Sequence, residues 1–224
     1  ALIIPAGSRA AVTVAPLATS GLTVTGATPE PALLETPTVA VSLPDGKARL
    51  AGTGEELAVQ VEKMSKSKKN VVNPDEVLDK HGADVFRLYE MFMGPFDDSK
   101  PWDMKDIMGR VRFLRRVWTT LGDPSKLVDG PGHEALRHRT AKKVGEDIAS
   151  FRFNTAISAL DIYLNALAED KAPARADAEA FLTLLNPFAP HVTEELWERL
   201  GKEGFLCAQP WPVFDPEKLK ESVV

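Results

Sequence analysis

The residues best suited to chemistry are the five of the run Lys63-Met64-Ser65-Lys66-Ser67. They place two ammonium groups three positions apart, with hydroxyl groups between and beside them. Lysine offers a compact charge with three donors, and serine adds neutral donors. A loop of this composition is suited to gripping a polyphosphate while charge is redistributed on it. A solvated lysine-rich turn is the simpler alternative.

Helices on the C-terminal side must position this loop. Asn73 is a suitable N-cap, Pro74 suits the first helical position, and Gly82 suits the helix end. A second helix is predicted from Ala83 to about Met93. Trp102 follows in a polar connector, where we expect it to pack across the junction rather than to bind a ligand.

The N-terminal segment, residues 1–60, differs in composition from the rest of the chain. It has no aromatic residue and is rich in Thr, Val, Ala, Gly and Pro. Short β-prone runs recur at residues 11–14, 22–25, 38–43 and 57–61. We predict a small β-rich segment there, and no residue pattern in it indicates chemistry.

The C-terminal half has the periodicity of helices. A long amphipathic helix is predicted from roughly Met104 to Leu121, with a buried stripe at Met104, Ile107, Met108, Val111, Leu114, Trp118 and Leu121. Four arginines are placed off that stripe, namely Arg110, Arg112, Arg115 and Arg116. Further helices are predicted at about residues 133–149, 154–169, 176–185 and 192–200, and residues 208–212 are predicted to be extended chain on a surface. The predicted fold is mainly α, an antiparallel helical bundle.

The charge balance argues against a generic nucleic-acid binder, because the net charge is −5 and such domains are usually basic. Two local basic patches, residues 63–69 and 105–116, could nevertheless hold a polyanion in one register. The sequence has no run of eighteen apolar residues, so no membrane span is expected.

Cysteine and histidine do not indicate a metal site. The single cysteine, Cys207, excludes an internal disulfide framework and favours a reducing, cytoplasmic compartment. The four histidines and Cys207 have no metal-ligand spacing. His191 follows Pro190 at a predicted helix start, so capping or packing is expected of it rather than catalysis.

The pentapeptide resembles the signature loop of class I aminoacyl-tRNA synthetases, which several amino-acid specificities share. Over about 160 residues from Val61 onward, the chain resembles the C-terminal portion of leucyl-tRNA synthetases of the bacterial type. The runs that indicate the leucine type rather than the isoleucine, valine or methionine type are residues 70–75, 82–89, 91–95, 113–118, 152–157 and 186–191. Lys69 departs from the pattern, because a glycine is common there in the wider class.

The resemblance implies an ATP-dependent reaction in two steps. The carboxylate of leucine attacks the α-phosphate of ATP, used with Mg²⁺, and the resulting leucyl-adenylate is captured by the terminal ribose of tRNA(Leu). By position, Lys66 would hold the leaving phosphates, with Lys63 and the hydroxyls of Ser65 and Ser67 supporting the closed loop. Met64 completes the implied ATP-binding set, and no metal site is implied in this chain.

The resemblance also implies tRNA contacts. The bundle resembles the class I anticodon-binding domain, and its arginines Arg110, Arg112, Arg115 and Arg116 would lie along the phosphate backbone of tRNA, which positions RNA without reading its sequence. Lys68 and Lys69 join this set. For each single arginine, a solvated face or a salt bridge to an acid on the next helix is an equal alternative.

The resemblance organises the chain into three parts. Residues 1–60 form the β-rich segment, which could be a leucine-specific insertion. Residues 61–103 hold the signature loop, from the end of a Rossmann-type catalytic domain, and the connecting helices. Residues 104–224 form the anticodon-binding bundle.

We therefore expect a fragment that partners the remainder of the synthetase and does not activate leucine alone. Two alternatives stay open. One is a stand-alone or split-subunit tRNA-binding module without catalysis, and the other is a different class I synthetase.

Overall fold

The computed structural model describes six strands within the first sixty positions, and then residues 64–65, 71–100, 102–103 and 106–219. The chain divides into two compact units, Ala1–Glu76 and Val77–Val224.

The first unit contains a six-stranded antiparallel sheet. Its strands are β1 (Leu2–Ile3), β2 (Ala11–Val14), β3 (Leu22–Ala27), β4 (Thr38–Ser42), β5 (Arg49–Leu50) and β6 (Ala58–Val59). The strand order is β5-β4-β3-β2-β1-β6, so β1 to β5 pair successively and β6 returns beside β1. Four of these strands, β2, β3, β4 and β6, fall on the β-prone runs of the sequence.

Helices make up most of the rest. They are α1 (Pro74–His81), α2 (Ala83–Phe92), α3 (Ile107–Leu121), α4 (Glu134–Ala149), α5 (Phe153–Glu169), α6 (Arg175–Leu185) and α7 (Pro190–Arg199). The prediction of a mainly helical chain is confirmed, and every predicted helix is present with bounds that shift by only a few residues. Short 3-10 helices at Pro124–Lys126, Leu206–Ala208 and Pro216–Leu219 complete the described elements.

Local chemistry explains the first helix pair. The side-chain oxygen of Asn73 accepts the backbone N–H of Asp75 at 3.2 Å, which is the predicted N-cap. Gly82 separates α1 from α2 at φ 85°, a left-handed conformation that glycine adopts without strain. Trp102 packs edge-on against Tyr89, with ring centroids 5.0 Å apart, so the predicted packing role is confirmed.

The apolar face of α3 differs from the predicted one. Phe113 and Val117 are buried together with the helix ends, whereas Met108 and Trp118 are exposed. The buried stripe is therefore displaced around the helix from the predicted stripe, and Arg110 lies on it, three positions before Phe113. The three-four spacing of apolar residues is compatible with both stripes, so periodicity alone could not predict which of them is buried. Met104, the first residue of the predicted stripe, lies outside the described residues.

The turn between α6 and α7 is fixed by two side chains of α2. Asp84 accepts the backbone N–H of Val192 at 2.7 Å and that of the preceding residue at 3.3 Å. Arg87 donates to the carbonyl oxygens of Pro187 at 2.7 Å and Phe188 at 3.3 Å. The negative carboxylate lies at the N-terminus of α7, which carries a partial positive charge. The positive guanidinium lies on carbonyl oxygens that follow α6, where the helix end carries a partial negative charge. Two motifs about a hundred positions apart in the sequence thus meet in one joint.

A buried carboxylate, Asp147, organises the joint between α4 and α5. It accepts hydrogen bonds from Thr155 at 2.6 Å, from Arg152 at 3.0 Å and from the ammonium group of Lys143. Burial alone would raise the pKa of Asp147, but these donors outweigh it and hold that pKa below its usual value. The turn itself places Phe151 at φ 55°.

A second buried carboxylate, Asp177 on α6, fixes the start of α4. It accepts the backbone N–H of His133 at 2.7 Å and the hydroxyl of Tyr163 at 2.7 Å, and it pairs with Arg137. Burial and the neighbouring carboxylate raise the pKa of Tyr163 well above its usual range. Gly132 approaches this carboxylate at φ 55°, where a larger residue would collide with it.

The C-terminal tail lies along α4. Of the run 208–212, predicted to be extended, Ala208 ends a 3-10 helix and Trp211 lies over Gly145 of α4. The backbone N–H of Asp215 donates to Nδ1 of His138 at 3.1 Å, and Lys218 pairs with Glu134 at 2.6 Å. Among the residues that the structure describes, no helix has the length and apolarity needed to cross a membrane.

Candidate nucleic-acid interface

The signature loop is only partly described. Met64 is exposed and Ser65 is half-buried. Lys63, Lys66, Ser67, Lys68 and Lys69 lie outside the described residues, so their predicted roles stay predictions.

The solvent side of α3 carries three exposed arginines, Arg112, Arg115 and Arg116, which we call the arginine face. Within the described part of the chain, Arg112 and Arg115 form no ion pair. Arg116 donates to the side-chain oxygen of Asn165 at 2.7 Å, which orients the guanidinium without neutralising it. Residues three or four positions apart are neighbours on a helix surface, so these charges are close enough to contact successive phosphates.

Arg110 does not belong to that face. Its guanidinium pairs with Asp161 at 2.9 Å and stacks on the ring of Phe92 at 4.1 Å, and its side chain is only 11% exposed. A mostly covered arginine whose charge is already paired has little capacity left to bind a phosphate. The alternative of a salt bridge to a neighbouring helix therefore describes Arg110, and the geometry does not favour its predicted tRNA contact.

Beside the arginine face, the indole of Trp118 is 36% exposed. The guanidinium of Arg199 on α7 lies 4.3 Å from the centre of its ring, and Glu195 holds that guanidinium at 2.8 Å. The three-four spacing places Trp118 in the predicted buried stripe, whereas the structure exposes it. Trp118 follows Arg115 by three positions on the same helix, and this spacing is the sequence signal that places the indole beside the arginine face.

A histidine and two carboxylates near the interface form hydrogen bonds that hold helix ends and the following turn in place. Nδ1 of His191 donates to Asp84 at 2.8 Å at the start of α7, where Asp84, and not His191, accepts the helix N–H groups. Glu194 accepts the backbone N–H groups of Leu206 at 2.7 Å and Cys207 at 2.9 Å. Burial alone would raise the pKa of Glu194, but these donors outweigh it and lower the pKa. In the described residues no cluster of histidine, cysteine or carboxylate groups could hold a metal ion.

Comparison with known proteins decides the family. Residues 134–224 match the family described as anticodon-binding domain of tRNA ligase, and residues 53–99 match tRNA synthetases class I (I, L, M and V). A leucine--tRNA ligase of Elusimicrobium minutum is 52% identical over 170 residues, which is 75% of this chain. The chain belongs to the leucine--tRNA ligase family. A Porphyromonas gingivalis leucine--tRNA ligase is 48% identical over 169 residues, or 73% of the chain.

The match to the leucine--tRNA ligase family extends to structure. The LeuRS agnB2 of Agrobacterium radiobacter K84, solved in a ternary complex with tRNA and LeuAMS, has a TM-score of 0.64 and 26% identity. That similarity covers 70% of this chain and 23% of the solved one. The chain spans about one fifth of the leucine--tRNA ligases that it matches, 20% and 18% for the two relatives above.

Proposed function

We propose that this chain is the part of a leucine--tRNA ligase that supplies the phosphate-gripping loop and the tRNA-binding helical unit. The observation that carries the proposal is its identity of about half to leucine--tRNA ligases over three quarters of its length. The signature loop lies inside the segment that matches class I synthetases, and the arginine face lies on the helix between the two matched segments.

The proposed reaction of the complete ligase is ATP-dependent. Leucine's carboxylate attacks the α-phosphate, pyrophosphate leaves, and the terminal ribose of tRNA(Leu) takes the leucyl group. Negative charge builds on the departing pyrophosphate, and stabilising that charge is the physical task of the first step. Mg²⁺ would enter with ATP, and this chain is proposed to supply no ligand of its own to it.

The loop lysines meet that need. Lys66 would hold the leaving phosphates with a compact positive charge, and Lys63 would support the closed loop together with the hydroxyls of Ser65 and Ser67. Met64, exposed in the described part of the loop, would complete the ATP-binding set.

The arginine face would meet the phosphate backbone of tRNA. Arg112 and Arg115 are exposed and form no ion pair within the described residues, and Arg116 is held in place by an uncharged partner. Lys68 and Lys69 would add phosphate contacts from the loop. Contacts of this kind set the register of tRNA and leave the choice of sequence to other parts of the ligase.

The remaining assignments follow from the resemblance. Residues 1–60, which hold the six-stranded sheet, are proposed as a leucine-specific insertion or a part of one. The rest of the synthetase would be the partner of this chain, in the cytoplasm, and would supply the nucleotide-binding half.

Salt-titrated binding of this chain to leucine tRNA tests the tRNA-binding part. We expect affinity to fall linearly with salt on logarithmic axes, and Arg115→Ala to reduce that slope by about 1. Lys142→Ala is the control, because Lys142 is a half-buried cation on α4 that faces Glu146 at 4.0 Å. Absence of binding at low salt, or equal slopes for Arg115→Ala and Lys142→Ala, would contradict the assignment.

A further inference from the structure

An open groove of about 500 Å³ lies between α2, α3 and α7. Apolar groups of its lining are Leu114, Val85 and Val192, and the exposed indole of Trp118 forms part of its wall. We call this site the Trp118 groove. None of the roles proposed above uses it.

The aromatic wall of the groove is held in a fixed geometry. Trp118 has the guanidinium of Arg199 stacked 4.3 Å from its ring centre. Glu195, which also lines the groove, accepts a hydrogen bond from Arg199 at 2.8 Å and so fixes the plane of the guanidinium. An aromatic ring such as this indole is a flat surface on which proteins stack unpaired bases.

Hydrogen-bonding groups lie at the rim of the groove. His191 is 73% exposed, and because its Nδ1 donates to Asp84, its Nε2 is the nitrogen left for a ligand. His81 lines the same groove, and burial, with a smaller contribution from Lys80, lowers its pKa. A neutral imidazole offers one donor and one acceptor, which suits the mixed edge of a nucleobase.

The Trp118 groove is continuous with the arginine face. Arg115 precedes Trp118 by three positions on α3, so the two side chains are neighbours on the helix surface. A nucleic-acid backbone held by the arginines would therefore pass the mouth of the groove. A nucleotide fits this arrangement because its phosphate can bind the exposed guanidinium groups while its flat base enters the groove. An apolar protein segment would use the groove but not the guanidinium groups beside it.

We propose that the Trp118 groove takes an unpaired nucleobase of the bound tRNA, stacked against the indole of Trp118, whose ring is itself held by the guanidinium of Arg199. The proposal rests on the proposed tRNA binding and deepens it, because it names a base contact in addition to phosphate contacts. It predicts a contribution to affinity that is independent of salt.

The test is binding of leucine tRNA to this chain and to Trp118→Leu across a salt series. We expect Trp118→Leu to weaken binding by about tenfold to about a hundredfold with an unchanged salt slope. Trp118→Tyr keeps an aromatic ring and should retain most of the affinity. Trp211→Leu is the matched control, since Trp211 is similarly exposed, at 39%, but lies over Gly145 on α4.

A second readout uses oligonucleotides. Single-stranded oligoadenylate, whose bases are unpaired, should quench tryptophan emission of the wild-type chain and of Trp211→Leu, and a hairpin with the same number of nucleotides should quench it less. The quenching should be lost in Trp118→Leu. Thermal unfolding of each variant verifies that it is folded before binding is measured.

The outcomes separate this proposal from the one on which it rests. If the wild-type chain does not bind tRNA, the proposed tRNA-binding role is overturned, and this inference with it. If tRNA binds and Trp118→Leu has the affinity of Trp211→Leu, only the base-binding groove is overturned. A changed salt slope in Trp118→Leu would also overturn it, because the variant would then have displaced the arginines.

Discussion

The carboxylate of Asp84 on α2 accepts the backbone N–H of Val192 in the first turn of α7 at 2.7 Å, across 108 positions of sequence. It does the work of an N-cap from another helix, because the α7 N-cap residue itself provides no side-chain hydrogen bond. Arg87, one turn further along α2, holds the carbonyls just before α7. The ends of α6 and α7 are therefore set by α2 rather than by their own turn.

Asp84→Asn should destabilise the chain by about 2 kcal/mol, because the variant loses a charged acceptor for two helix N–H groups in a buried place. Urea unfolding followed by circular dichroism measures the change. Asp79→Asn is the matched control, an exposed acid on α1 that should change stability by less than about 0.5 kcal/mol. Equal losses in both variants would show that α7 does not depend on this cap.

Gly132→Ala should lower the free energy of unfolding by more than about 2 kcal/mol, because Gly132 has φ 55° and the added Cβ would overlap Oδ2 of Asp177. That oxygen cannot withdraw easily, since the carboxylate is buried and bonded to three neighbours. Gly130→Ala, two positions earlier with open space around it, should be nearly neutral. Thermal unfolding of Gly132→Ala and Gly130→Ala measures the difference, and similar melting temperatures for the two variants would contradict this prediction.

Acid should weaken the chain in part through Asp147. Its pKa is lowered in the folded state, so the unfolded state binds the proton more tightly and stability rises with pH in that range. The contribution is complete above the ordinary aspartate pKa of about 3.9 and is lost as pH falls through the lower folded value.

The corresponding variant is Asp147→Asn. It should be less stable at pH 7 and should lose less stability than the wild type below about pH 4, as measured by urea unfolding at a series of pH values. Glu146→Gln on the same helix serves as the control, because Glu146 is exposed. A pH dependence of Asp147→Asn that matched the wild type would rule out this source of acid sensitivity.

Arg110 and Arg115 should separate into a structural and a binding role. Arg110→Ala should lower stability, by about 3 kcal/mol, because it leaves Asp161 unpaired and uncovers Phe92. It should leave the salt slope of tRNA binding unchanged at temperatures where the variant is folded. Arg115→Ala should leave stability unchanged and reduce the salt slope of tRNA binding. The reverse assignment, a stable Arg110→Ala with a reduced slope, would place Arg110 back among the phosphate contacts.

In the complete ligase, Lys66→Ala should lower the rate of leucine-dependent pyrophosphate exchange by roughly two to three decades, with little change in leucine affinity. The reason is that its contact is made mainly as charge builds on the leaving phosphates. Lys80→Ala, an exposed lysine at the end of α1, is the control and should keep the wild-type rate. An unchanged exchange rate in Lys66→Ala would remove this residue from the proposed site.

The helices could be predicted because their start and stop signals are local. The cap at Asn73, the break at Gly82 and the proline before His191 each act within a few positions of a helix bound. Which side of α3 is buried could not be predicted in the same way. Two stripes satisfy the spacing, and the choice depends on Phe92 and Asp161, which lie on other helices.

The candidate interface was predicted in part. The exposed positions of Arg112, Arg115 and Arg116 agree with the placement off the apolar stripe. The stacked pair of Trp118 and Arg199 could not be foreseen, because the two residues are far apart in the chain and tryptophan at helical spacing usually indicates a core.

The joint between α2 and the α6–α7 turn also has a consequence for protein synthesis. Arg87 leaves the ribosome about a hundred residues before the carbonyls that it will bind. At roughly 5–20 residues per second, that separation is about 5–20 s of translation. During this interval Asp84 and Arg87 of α2 lack the backbone groups that they will bind. The helical unit can therefore complete its packing only after α6 and α7 have left the ribosome.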